Sequence, residues 1–140
     1  MSIRLICLLC VSVLAVAALL FGAEYLQFAL PGGLPLGNLV AAIALVAAAW
    51  AALLLLPRRG PGRVIGISTL LVALAWLPAS IWLAGNLALV FSGERGDAWM
   101  ALTAATLALV LCVLAAALLW VGYARWRLSK SAGGARIISP

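Results

Sequence analysis

The sequence predicts an all-α transmembrane fold: a four-helix bundle with both termini on the cytoplasmic side and a kinked third helix. Three observations carry that expectation. Of the 140 residues, 68% are hydrophobic and only 9% charged, whereas soluble domains are about a quarter charged. A water-soluble chain this short has nowhere to hide so much apolar surface. Uncharged apolar runs long enough to cross about 30 Å of hydrocarbon occur over residues 5–23, 39–56, 64–91 and 99–123. All but Arg95 of the nine Lys+Arg then fall on one side of the chain's path, the pattern of cytoplasmic loops.

At 1.5 Å per residue the four runs measure about 28, 27, 42 and 38 Å. The first two just span, and the last two must tilt, bend or protrude. They lack the alternation of barrel strands, and backbone in hydrocarbon must satisfy its own hydrogen bonds, so they are read as helices. The first run follows Arg4 and is expected to be retained as a span. It is long for the apolar region of a signal peptide, and a cut after Ala23 would place bulky Phe21 where a small residue is wanted.

The loop 24–38 lies outside and is itself apolar. Tyr25 and Phe28 are expected at headgroup depth, Pro31-Gly32-Gly33 and Pro35 break regular structure, and Asn38 is placed to N-cap the second helix. Between the second and third runs, "PRRGPGR" carries Arg58, Arg59 and Arg63. Its prolines and glycines stop one helix and reverse the chain, while its arginines anchor the turn among anionic headgroups.

Pro78 falls in the middle of the third run, where a missing donor and a ring pressed against the preceding turn predict a kink. With Trp76, Ser80, Trp82 and Asn86 it forms a candidate groove for a lipid or another lipophilic ligand. "SGERGDA" is read as a short outer turn into the fourth run. Trp99 at that run's outer end and Trp120, Tyr123 and Trp126 at its inner end form an aromatic belt. The basic cytoplasmic tail, 125–140, contributes Arg125, Arg127 and Lys130, which with Arg58, Arg59 and Arg63 are the expected contacts to anionic lipid.

The chemistry-bearing residues are few. There is no histidine, and no ionisable residue lies well inside any run, which argues against a self-contained proton-coupled pump. The acids Glu24, Glu94 and Asp97 all fall in outer segments. Topology accounts for the formal charge of +6, so no nucleic-acid partner is expected. Cys7, Cys10 and Cys112 are read as buried small hydrophobes, because a reactive thiol needs an electropositive, partly exposed setting. Ser12, Ser68, Thr69, Thr103 and Thr106 are expected to bond back to their own helices. Small residues at helix-packing spacing, Ala44/Ala48/Ala52, Ala47/Ala51, Ala18/Gly22 and Ala104/Ala108, are expected at contacts within the bundle.

"GNL" occurs at residues 37–39 and again at 85–87, but both hairpins run in the same sense, so an inverted transporter repeat is not indicated. "LPLGNLVAAI" resembles the "PxGTLxxN" stretch of small four-helix fluoride channels. The third run lacks the Gly-Gly-Phe-Thr-Thr-Phe-type break of that family. Small multidrug exporters share the helix number, but they carry a glutamate in the first span, where this chain has only apolar residues, Cys and Ser. Neither family is assigned.

The expected role is therefore non-catalytic: an accessory or scaffolding subunit of a larger complex, with membrane lipids and other integral membrane subunits, or further copies of itself, as partners. No catalytic, cofactor or metal site is expected, since no nucleophile–base pair is visible. The alternative is a self-associating carrier or channel for a lipophilic or uncharged solute. The preference for Ala, and for Arg over Lys, fits a GC-rich genome and the minimal loops fit a bacterium, so the expected location is a bacterial inner (cytoplasmic) membrane.

Overall fold

The computed structural model describes residues 3–21 and 26–134. Gly22, Glu24 and Tyr25, and the tail from residue 135 with Arg136, lie outside them, as does the side chain of Ala18. The chain is all-helical, with α1 at Ile3–Phe21, α2 at Leu36–Leu55, α3 at Pro61–Ala84 and α4 at Glu94–Gly134. Among the described residues the only extended pairing is an isolated bridge between Ala29 and Pro35. Helices α2, α3 and α4 are long and apolar enough to cross a membrane, while the apolar stretch described in α1, Leu5–Ala17, is shorter.

Several boundaries differ from the sequence reading. Asn38 is not the N-cap of α2; Pro35 is, at φ −65 and ψ 133. The ring fixes Pro35 in extended backbone, and its carbonyl accepts from the Asn38 N–H at 3.1 Å, so Asn38 is already helical. The third helix ends at Ala84 rather than near residue 91. Gly85 takes the left-handed conformation, φ 69, and its N–H closes on the Ile81 carbonyl. Much of the expected excess length is therefore loop, and α3 measures about 36 Å. The second half of "SGERGDA" is not a turn but the first turn of α4, where Glu94 and Asp97 suit the positive end of the helix dipole.

Helix α2 is the hub. It packs against all three other helices, α3 and α4 also pack on each other, and among the described residues α1 packs only on α2. Half of the apolar stretch of α2 is buried (50%), against 28% for α3 and 22% for α4. The alanines explain this. Ala42, Ala44, Ala47, Ala48, Ala49, Ala51 and Ala52 are all buried and point around most of the helix circumference, so neighbours approach from several sides. The large exposed side chains of α2, Ile43, Trp50 and Leu54, fall within about 40° of one another on the remaining side. By contrast Ala104 and Ala108 are exposed, so the expectation that they pack inside the bundle is corrected. α4 turns a different stripe inward: Trp99, Thr103, Thr106, Val110, Val113 and Ala117, spaced by threes and fours as a packed helix face requires.

Where α3 crosses α2, Gly66 makes the close approach. A Cβ at this position would lie 2.7 Å from Leu53 Cδ1 and 3.3 Å from Leu53 Cα. At the other end of α3, the Arg95 guanidinium comes within 3.9 Å of the Cβ position of Gly85, a favourable placement for a cation at a helix C-terminus. Here Arg95, the one cation on its side of the chain's path, has a local structural reason.

Candidate functional site

The five residues of the expected groove are distributed over four places. Trp76 and Ser80 are fully packed, at 2% and 0% exposure, and point at α4. Trp76 Nε1 donates to Thr103 Oγ1 at 3.1 Å, and Trp99 Nε1 donates to Ser80 Oγ at 3.2 Å. Ser80 Oγ in turn donates to the Trp76 carbonyl at 2.8 Å, and the Phe91 ring stacks on Trp99 with centroids 5.0 Å apart. These groups satisfy one another, and no buried side-chain polar atom among the described residues lacks a partner.

Trp82 projects outward, 83% exposed. Asn86 organises the loop beyond α3: its Nδ2 donates to the Ala84 and Val90 carbonyls, and its Oδ1 accepts from the Val90 N–H, all at 3.0 Å. That two-sided grip on Val90 accompanies a left-handed Leu89, φ 52, whose side chain is buried. The strain of a left-handed leucine, about 1–2 kcal/mol, is offset by this burial and by the Asn86 bonds.

Pro78 alone of the five lines a groove. Since α1 and α3 both lie on α2 without touching each other, a cleft of about 510 Å³ remains between them. Leu8 and Val11 of α1 form one wall, and Leu74, Leu77 and Pro78 of α3 the other. Ala42, Ile43 and Trp50 of α2 form the floor. Among the described residues no ionisable side chain lines it, so its chemistry is that of hydrocarbon contact.

One end of the molecule is cationic. The turn from α2 to α3 carries Arg58 and Arg59, both exposed, and the first turn of α3 carries Arg63. On α4, Val113 and Ala117 pack against Ala52 with Leu55 and Leu56 alongside, which fixes the level at which α2 ends. Helix α4 continues to Gly134, about 25 Å further, carrying exposed Trp120, Tyr123, Arg125, Trp126, Arg127 and Lys130. Lys130 Nζ sits 4.4 Å from the Trp126 ring centroid, and the Tyr123 and Trp126 rings are 6.0 Å apart. The described acids, Glu94 and Asp97, are at the opposite end of α4.

The hydroxyls of Ser12 and Thr69 bond back to the carbonyls four residues earlier, as expected from the sequence, and that of Ser80 does the same. The cysteines do not follow expectation. Cys7, Cys10 and Cys112 are all free and exposed, because α1 buries only its α2-facing side and α4 only its stripe toward α2 and α3. Sequence reasoning also missed Thr103 as an interhelical acceptor, Gly66 as a contact point and Trp50 as part of a cleft. Only Trp50 left a signal: with Ile43 and Leu54 it lines up on the side of the helix that the alanines leave.

No protein family, curated protein or solved structure matches the chain.

Proposed function

We infer that this chain is a non-catalytic accessory or scaffolding subunit of a larger bacterial inner-membrane complex, with both termini cytoplasmic and α3 bent at Pro78. The observation that carries the reading is the unequal use of α4. Its inward stripe is packed on α2 and α3, while its outer face presents Ala104, Ala108 and Cys112 exposed beside Leu107 and Leu111, small residues of the kind that let another membrane helix approach closely. The positive-inside count supports the orientation. The hydroxyls of Ser80 and Thr103 are engaged in holding helices together, which suits a structural part.

The test is affinity purification of the tagged protein from native membranes in a mild detergent, with mass spectrometry of what accompanies it. A stoichiometric, reproducible integral-membrane partner is the expected result. Recovery alone, or only as a homo-oligomer, overturns it.

The wholly apolar cleft favours a second reading, a self-associating carrier or channel for a lipophilic or uncharged solute. Uptake of such a solute into liposomes by the purified protein tests it; uptake equal to that of empty liposomes rejects it.

A further inference from the structure

We propose that the cleft between α1 and α3 is the seat of one anionic glycerophospholipid, its acyl chains lying against Trp50 and Leu74 and its phosphate held by Arg63. The proposal does not depend on which of the two functions above holds; it rests only on the helices spanning a membrane.

The shape and lining of the cleft suit hydrocarbon: it is an open groove of about 510 Å³ lined by apolar side chains, and extended acyl chains conform to such a slot. In a bilayer an apolar cleft that opens sideways does not stay empty, because its lining would forfeit dispersion contacts that a chain supplies.

The charge at one end selects the headgroup. Arg63, Ile67 and Leu74 fall within about 40° of one another around α3, so Arg63 stands on the face that forms the cleft wall. It is about 16 Å along the axis from Leu74, close to the depth of one leaflet, about 15 Å. A phosphate beside Arg63 therefore places its chains at Leu74. On α2 the exposed stripe Ile43–Trp50–Leu54 leads in the same direction, toward Arg58 and Arg59 in the turn. The described carboxylates, Glu94 and Asp97, sit at the far end of α4, so no described acid competes for these arginines. Guanidinium groups on the faces that lead into a hydrocarbon slot distinguish an anionic lipid from a zwitterionic one.

Trp50, on the cleft floor, is the reporter. The full chain is reconstituted in phosphatidylcholine vesicles containing a minor fraction of either phosphatidylglycerol or phosphatidylcholine brominated in mid-chain, and tryptophan quenching is compared. Stronger quenching by the brominated phosphatidylglycerol is expected, with the excess falling in Trp50→Phe, which removes the reporter at an exposed site. Arg63→Gln keeps the reporter and is expected to lower the preference for phosphatidylglycerol about fivefold. Ile43→Trp, which fills the slot from an exposed position, is expected to abolish retention of phosphatidylglycerol in native mass spectrometry of the purified protein. Equal quenching by the two lipids in the wild type, an excess undiminished in Trp50→Phe, or a preference unchanged in Arg63→Gln overturns the proposal. Quenching of Trp50 by neither lipid overturns it too, and shows that protein covers the cleft.

Discussion

Trp76 and Trp99 are reciprocal donors across the antiparallel α3–α4 pair: each indole N–H reaches a hydroxyl one helical turn from the other tryptophan. Trp76 bonds Thr103 and Trp99 bonds Ser80. Both bonds bridge the same two helices, so a shift of α3 along α4 displaces both at once. The arrangement fixes the register of a pair whose remaining contacts are apolar and tolerant of sliding. In hydrocarbon a lost bond is not replaced by water.

Thr103→Val keeps the shape of the side chain but leaves Trp76 Nε1 without an acceptor. It is expected to destabilise the protein by about 1 kcal/mol, read as a lower unfolding midpoint in detergent. Thr103→Ser is expected to stay close to the wild type. In the double variant with Trp76→Phe, the second substitution should cost less than it does alone, since the donor is already gone. Strict additivity of the two would show that the bond does not set the pairing.

Gly66 is expected to resist enlargement. In Gly66→Ala the new methyl displaces the flexible ends of Leu53 and Leu56 and still meets the Leu53 Cα at 3.3 Å, while alanine's better helix propensity returns up to about 1 kcal/mol. Gly66→Leu has no such escape and forces α2 and α3 apart, at a cost of about 1–3 kcal/mol. Thermal unfolding in detergent measures both. A leucine variant as stable as the wild type would show that the two helices do not meet at Gly66.

The loop after α3 depends on Asn86 more than on its apolar side chains. Asn86→Ala removes all three side-chain bonds to Ala84 and Val90 and releases Leu89 from its left-handed backbone. Faster limited proteolysis within residues 85–93 is the expected outcome, with the helical circular dichroism unchanged. Gly85→Ala, at φ 69, is expected to lower the unfolding midpoint, at about 1 kcal/mol. A proteolysis rate equal to that of the wild type in Asn86→Ala would remove Asn86 from this role.

The orientation has its own test. Alkaline phosphatase, active only outside the cytoplasm, is expected to be inactive when fused after Pro140 and active when inserted in the loop between α3 and α4. The opposite pattern would invert the assignment of Arg58, Arg59 and Arg63 to the cytoplasmic side.

How much of this was legible in the sequence differs from element to element. The run 39–56 announced α2 by apolar length alone, and "PRRGPGR" announced the reversal after it, because prolines and glycines act locally. The end of α3 was hidden, since "LAGNLALVF" is uncharged and, Asn86 apart, carries no polar side chain, and the left-handed backbone of Gly85 marks the stop. The candidate groove was half legible. Pro78 does line a cleft, but Trp76 and Ser80 are directed into the α3–α4 interface, a matter of which side of α3 meets a neighbour.

What the sequence by itself determined was helical character and apolar length. A chain that is 68% hydrophobic and 9% charged forms helices long and apolar enough to cross a membrane, because that follows from transfer energies summed over residues regardless of contacts. What only the tertiary structure decided was partnership. That α2 is the hub, that α1 leaves a cleft beside α3, that Ala104 faces outward while Ala51 is sealed, and that Trp76 finds Thr103 all depend on the rotation of each helix about its axis. Lipid and protein interior are equally apolar, so hydropathy does not select that rotation; close packing of small residues and a few interhelical hydrogen bonds do.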